Sequence, residues 1–484
     1  MSVPPVNGLR PPVRWAQAAL AVGAFCVQLD SFALNPALPV VRADLHGSPA
    51  VVPWVVSGYL LAAGALMPAA GRLADLYGRR RMLTLGAVLF GVSAALCALA
   101  PTLPFLVAAR VAQGVGGALI MPAGLALLTN ASPPGQGRRA TGRALGLAGA
   151  ATVCGPFLGG VLAQWASWRA VFWLAVPFAA ATVWLACRAD ESRDASAAQS
   201  PLDVAGAWTA TGALLCLARW LEHVGGWGWA VGAALLGTLF VRAERRAPAP
   251  LVDLALFRNL PYVTLTVAGA VANAATVALL YVLPLTLQQG RGWDALGAGV
   301  AFSAPAAALA VGGPVAGRVR PGAAVPVMAS CLAGAGGALW VAGAATGPSV
   351  LVVASTGAAV ALGVAGGLAL TGTQAVVRRE RAGEASGVTK SVLTVTAGLG
   401  LALTGVGAAG AVGGAGAGGL VGPGGAGDLM GRTAGGGVLP SLALPAVGCL
   451  LGAVLAAAVA VVTVVPGRRG AGRGRGRRRG RGRG

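Results

Sequence analysis

Long apolar runs, separated by short arginine-rich or glycine-rich connections, make up most of this chain of 484 residues. A helix needs about 20 predominantly apolar residues to cross a bilayer. On that length the pattern predicts spans near 15–40, 51–70, 83–100, 104–129, 140–163, 168–187, 204–221, 226–241, 261–287, 295–316, 323–343, 349–371, 385–412 and 441–465. The expected fold class is an all-α polytopic membrane protein with 14 transmembrane helices, the seventh and eighth being the shortest. The first run continues to about Val41 with Asp30 in its middle, which reads as a retained span and not a cleavable leader.

Charge tests this count independently. Alternate connections hold Arg72, Arg79, Arg80 and Arg81; Arg138, Arg139 and Arg143; Arg188 and Arg193; Arg242, Arg245, Arg246 and Arg258; Arg318 and Arg320; and Arg378, Arg379, Arg381 and Lys390. The intervening connections hold only Arg42, Arg169, Arg291 and Arg432. Cytoplasmic loops carry the excess of basic residues, so both termini are expected in the cytoplasm and the number of spans is expected to be even. Composition agrees: 56% of residues are hydrophobic, 10% are charged and the mean hydropathy is +0.74, too apolar for a water-soluble domain. The net charge of +22 is partly local, because nine of the 36 basic residues follow Pro466. That Arg/Gly tail is expected to meet anionic lipid. Nucleic-acid binding is the less favoured alternative, since aromatic residues that would stack on bases are absent from it.

Several polar residues carry candidate chemistry. Asp30 lies within a span, where a carboxylate must pair, face water or take up a proton; it is a functional candidate or else a hydrated residue near the outer surface. Arg110 lies in Arg110-Val111-Ala112-Gln113-Gly114-Val115-Gly116-Gly117-Ala118 and must find an acid, a carbonyl or water, or snorkel to the edge. Gly71-Arg72-Leu73-Ala74-Asp75-Leu76-Tyr77-Gly78-Arg79-Arg80-Arg81-Met82 reads as a tight basic hairpin at the membrane surface, in which Gly71 and Gly78 permit close helix approach and a sharp turn. In Cys154-Gly155-Pro156-Phe157-Leu158-Gly159-Gly160 a proline that removes a backbone donor stands among glycines that open a packing face, a combination suited to a pivot or to static small-residue packing. Arg219 and Glu222, at i and i+3, are placed to neutralise each other. Asn273, Gln288 and Gln289 are polar groups of the ninth span. The seven cysteines are scattered singly and His46 and His223 are far apart, so neither a disulfide framework nor a metal site is expected. No Walker-type loop is present. Energy is expected from an ion gradient, with no cofactor.

These motifs carry a resemblance. G-x-L-A-D-x-x-G-R-R at Gly71, Leu73, Asp75, Gly78, Arg79 and Arg80 resembles the loop between the second and third spans of the major facilitator superfamily, with Leu76 where arginine is common. The Arg110–Ala118 stretch is similar to the superfamily's fourth-span motif. Leu29-Asp30 followed by Asn35-Pro36-Ala37-Leu38-Pro39, the run Trp54–Leu61, and G-P-x-x-G-G at Gly155, Pro156, Gly159 and Gly160 resemble the fourteen-span drug:proton antiporters (EmrB/QacA-like multidrug exporters). Phe32 replaces the usual threonine and Ala151 the motif's first glycine. The stretches around Trp168–Pro177, Pro201–Gly206 and Pro250–Arg258 continue the likeness, whereas Gly317-Arg318-Val319 is an acid-free echo of the first motif.

The resemblance implies a major facilitator fold: a cytoplasmic N-terminus at 1–14, a six-helix bundle at 15–187, a linker with two additional helices at 188–260, a second six-helix bundle at 261–465 and the cytoplasmic tail at 466–484. It further implies proton-coupled export of lipophilic or cationic drugs from the cytoplasm by a monomer in the cell membrane. In that reading Asp30, Arg110 and Gln113 couple protons, Gly71, Asp75, Gly78, Arg79 and Arg80 form a conformational latch, and Gly155, Pro156, Gly159 and Gly160 form the antiporter pivot. Expected partners are a small-molecule substrate, protons and the lipid bilayer. A dedicated exporter of an endogenous metabolite or self-made antibiotic is the alternative within transport, and a membrane-anchored nucleic-acid-binding or scaffold protein the alternative outside it.

Overall fold

The computed structural model describes residues 11–48, 51–133, 137–193, 204–222, 226–247, 254–377, 382–413, 442 and 445–454. The Arg/Gly tail and the Gly-rich segment after Gly413 lie outside them. Fourteen helices are present among the described residues: α1 Pro11–Asp44, α2 Trp54–Tyr77, α3 Arg79–Ala98, α4 Leu103–Ala131, α5 Gly137–Trp165, α6 Trp168–Ala186, α7 Val204–Glu222, α8 Trp227–Arg246, α9 Leu260–Leu285, α10 Ala295–Ala316, α11 Ala324–Gly343, α12 Pro348–Ala375, α13 Ala382–Gly413 and α14 Pro445–Val454. Nine of these described helices are long and apolar enough to cross a membrane, from Val13–Asp44 to Pro348–Ala375.

Capping chemistry explains several boundaries. Ser167 accepts a hydrogen bond from the Arg169 amide at the start of α6, Asn259 from Tyr262 before α9, and Asp294 from Gly297 before α10, each satisfying a first-turn amide that the helix cannot. Small residues then set the spacing. α1 packs on α5 and α6, α3 on α4 and α6, α10 on α5 and α12, α9 on α12 and α13, and α2 on α4 and α13. α7 and α8 pair with each other, and α7 leans on α2 and α13. These extra helices are therefore peripheral to two intimately packed halves, α1–α6 and α9–α14.

The halves meet at the end that carries the α1–α2 and α9–α10 turns. There Gln288 donates to the Pro36 carbonyl at 2.8 Å and the Ala295 amide to Gln164 Oε1 at 3.3 Å. Midway along the bundle, Ser391 Oγ donates to the Gly64 carbonyl.

Two sequence expectations are corrected. The hairpin at 71–82 is almost wholly helical: α2 runs to Tyr77, α3 starts at Arg79, and Gly78, at φ +111°, is the only break. Amphipathic residues continue both helices past the apolar runs. Lys390, counted among the loop charges, stands in the third turn of α13.

Candidate functional site

The fourth-span glycines draw the site together. A side chain at Gly114 would strike the Tyr59 carbonyl and one at Gly117 the Tyr59 hydroxyl, so α2 and α4 approach closely only because both positions are bare. This proximity lets Arg110 Nε reach the Val55 carbonyl of α2 at 2.9 Å. Arg110 Nη1 then donates to Asp30 Oδ2 at 2.6 Å and to Gln113 Oε1 at 2.8 Å, while Gln113 Nε2 donates to Asp30 Oδ1 at 3.0 Å. Three side chains from α1 and α4 close a ring.

The ring has one self-consistent polarity. Guanidinium only donates and carboxylate only accepts, so the Gln113 amide must turn its oxygen to Arg110 and its nitrogen to Asp30. Arg110 also lies over the Tyr59 ring at 4.5 Å, and Cys97 Sγ approaches Gln113 Oε1 at 3.7 Å. Asp30 and Arg110 are each 1% exposed and Gln113 0%. Asp30 therefore is not a hydrated surface acid, nor does Arg110 snorkel; each is the other's counter-ion. A charge-assisted bond of this length, in a buried setting, is among the strong ones, and breaking it by removing one partner is expensive.

The α5 motif forms a second element. A side chain at Gly155 would collide with Phe32 of α1, and one at Gly159 with the Ala33 carbonyl. On the neighbouring face, a side chain at Gly160 would strike the Ala295 carbonyl of α10, and one at Gly299 of α10 the Pro156 carbonyl. The sequence Gly155-Pro156-Phe157-Leu158-Gly159-Gly160 thus presents one bare face to the helix carrying Asp30 and another to the second half. Both seams are backbone-close, with no glycine side chain between the helices.

The α2–α3 junction is the third. Arg79 donates through Nε and Nη2 to Asp75 Oδ1 at 3.0 and 2.7 Å. Glu191, just beyond α6, accepts from the Arg80 and Arg81 amides at 2.9 and 3.3 Å, and the Arg79 amide donates to the Ser192 carbonyl at 3.0 Å. An acid capping the first turn of α3 complements its unpaired amides and positive end. A side chain at Gly78 would meet the Glu191 carboxylate within 2.9 Å, so both the positive φ and this cap require glycine. Gly71 differs: an added Cβ would find only Pro122 at 3.7 Å, ordinary contact and not the close helix approach expected of it.

Some partners escaped sequence reasoning. Glu191 carries no local signal, since only the fold brings the end of α6 to α3; Tyr59 lies in the run Trp54–Leu61, but only the fold sets its ring under Arg110. Asn273 donates to the Leu393 carbonyl at 2.6 Å, which makes it an α9–α13 tie. Arg219 lies 5.9 Å from the Trp229 ring; the Glu222 side chain lies outside the described ones.

The Major Facilitator Superfamily model matches residues 20–401. The chain belongs to this superfamily. It is 34% identical over 423 residues to the tetracenomycin C resistance and export protein of Streptomyces glaucescens, covering 84% of this chain and 78% of that protein. It is also 34% identical over 415 residues to the multidrug resistance protein Stp of Mycobacterium tuberculosis (strain CDC 1551 / Oshkosh), covering 80% of this chain and 74% of the relative. In fold it is similar to the crystal structure of a bacterial homolog to human lysosomal transporter Spinster, inward-facing and occupied: the TM-score is 0.66 at 16% identity, over 95% of this chain and 99% of that one. As a superfamily member with relatives named for export and resistance, the chain is a multi-pass membrane protein of a transporter family, a family not made of enzymes in general.

Proposed function

We propose that this superfamily member is a fourteen-span drug:proton antiporter of the cell membrane, with both termini cytoplasmic, exporting lipophilic or cationic small molecules by alternating access. The observation that carries this reading is the buried ring of Asp30, Arg110 and Gln113. In the ring both carboxylate oxygens face donors, so a proton arriving on Asp30 would set donor against donor. Protonation therefore opens the ring, frees Arg110 and makes the acid neutral; loss of the proton closes it again. Asp30 sits one turn from Ala33, against which Gly159 packs, so the state of the ring bears directly on the α1–α5 seam and, through Gly160, on α10.

Packing of α5 on α10 at the α1–α2 end supports a route to the site from the opposite end, and the basic loops support a cytoplasmic position for that end. The Asp75–Arg79 pair and its Glu191 cap then hold the α2–α3 junction as a latch. One charge moved through 100 mV is worth about 2.3 kcal/mol, roughly a fiftyfold gradient per proton. A few protons therefore drive substantial export. No cofactor is needed, and a monomer contains every part.

The test is a dye-efflux and resistance panel in a pump-deficient host, with and without a protonophore. Wild type should expel dye only when the gradient is intact, and Asp30→Asn should abolish that expulsion while the protein still inserts. Intact proton-driven efflux by Asp30→Asn would remove Asp30 from coupling. Asp75→Asn should impair transport; normal efflux would reduce the junction to topology. Export of one self-made compound is a second reading, favoured by the relative named for tetracenomycin C resistance and export; a panel in which a single compound is expelled would select it.

A further inference from the structure

Lys390 is the chain's only lysine, and neither the ring nor the pivot uses it. It stands eight residues into α13, about 12 Å along the axis at 1.5 Å per residue. Its neighbour Ser391 bonds the Gly64 carbonyl. Gly64 lies five residues along α2 from Tyr59, the residue stacked on Arg110, or about 7.5 Å. Lys390 is thus at membrane depth, some one and a half turns nearer the α2–α3 end than the ring.

The neighbours of α13 define where this side chain points. Thr389, Leu393 and Thr396 face α9, through Thr266, Asn273 and the Ala270 carbonyl. Ser391, Thr394, Val395 and Gly398 face α2, at Gly64 and Leu61. Val395 and Leu399 share an apolar cluster with Leu61 of α2 and Leu214 of the peripheral α7. At 100° per residue these occupy three sides of the helix, and Lys390 falls on the fourth, opposite α7; α12 also packs on α13. One turn before it, a methyl group at Gly387 would meet nothing within 4 Å. Lys390 is half-buried, and among the described residues no acid pairs with it.

We propose that Lys390 binds the acidic group of an exported amphipathic anion, a lipophilic body bearing one carboxylate or phenolate; this deepens the export reading and rests on it. A conformation in which the halves part would hydrate the ammonium. When the halves close around a substrate that water leaves, and an uncompensated ammonium at this depth costs several kcal/mol. Asp30, the acid of the neighbouring ring, is already held by Arg110 and Gln113. The remaining counter-ion is the substrate's own. Ser391 and Thr394 keep the surroundings polar, and the ring is neutral as a pair, so the embedded groups sum to one positive charge.

The experiment uses two dyes with the same xanthene frame and opposite charge: fluorescein, an anion, and rhodamine 6G, a cation. Binding to the purified full chain is read by fluorescence polarisation. Lys390→Gln should weaken fluorescein binding about tenfold or more, the effect of losing one charge-assisted bond of about 1.5–3 kcal/mol, with rhodamine 6G shifted less than about twofold. Lys390→Arg should restore fluorescein binding. On wild-type protein, where Lys390 is the single side-chain amine, fluorescein should slow its acetylation by acetic anhydride and rhodamine 6G should not, which gives a reading independent of any variant's folding. Equal shifts for both dyes, no shift for either, absence of saturable fluorescein binding, or unprotected acetylation would each overturn the proposal. Proton-driven efflux from vesicles separates the two claims. Transport of neither dye alongside Lys390-dependent fluorescein binding would sink the export reading alone; efflux of both dyes unchanged in Lys390→Gln would sink the lysine's role alone.

Discussion

The two halves bury polar groups between their helices with different chemistry. In the first half Asp30, Arg110 and Gln113 form a closed ionic ring, and Asp75, Arg79 and Glu191 form a charged junction. In the second half Tyr262 donates to the Ala385 carbonyl, Thr389 bonds Tyr262 and Thr266, and Asn273 bonds the Leu393 carbonyl. Neutral bonds of this kind contribute about 0.5–1.5 kcal/mol each, whereas orphaning one member of a buried ion pair costs about 3–5 kcal/mol. The first half thus buries paired charges, and the second, apart from Lys390, neutral hydrogen bonds.

The largest expected effect comes from cutting the ring. Arg110→Ala should cost about 3–5 kcal/mol, seen as a large fall in the detergent melting temperature, because Asp30 is left with Gln113 as its one donor. The double variant Asp30→Leu/Arg110→Met should recover most of that stability and none of the transport. Recovery of transport would show that the ring merely holds the bundle together.

Next comes the seam that joins the comparison's two sides. Gly159→Val must push the Ala33 carbonyl away, an overpacking cost of about 1–3 kcal/mol, whereas Gly146→Ala on the same helix has nothing within 4 Å to meet and should leave melting and efflux unchanged. Equal effects would mean that α5 is not seated on α1 through its glycines.

Glu191→Gln should be milder, about 1 kcal/mol, since a neutral amide still accepts at the α3 N-terminus but loses the charge. Faster hydrogen exchange at the Arg80 and Arg81 amides is the direct reading. Smallest of all, Thr389→Val removes two neutral bonds at nearly constant volume and should cost about 1 kcal/mol or less. If it cost as much as Arg110→Ala, the contrast between a charged first half and a neutral second half would fail.

Much of this was written in the chain. Apolar length and arginine placement determine a helical membrane protein, because hydrocarbon forbids unpaired backbone and penalises charge wherever it falls. The same penalty marked Asp30 and Arg110 as residues in need of partners, and α10 and α6 began where the apolar runs did. What a local reading of residues 71–82 could not show is that helix runs through the polar stretch up to Gly78, since arginine and aspartate are as compatible with a solvated helix turn as with a loop.

Partnership was decided by tertiary structure alone. The sequence states that Arg110 must be neutralised; only the crossing of α1, α2 and α4 selects Asp30, Gln113, the Val55 carbonyl and the Tyr59 ring from all the groups that qualify. Glu191 is one acid among 14 until the end of α6 lands beside α3. Lys390 counts as a loop charge until its helix takes its place among α2, α7, α9 and α12. The cost of burying a polar group is a property of the residue, so it can be read along the chain; the group that offsets it is a property of distance, which folding sets.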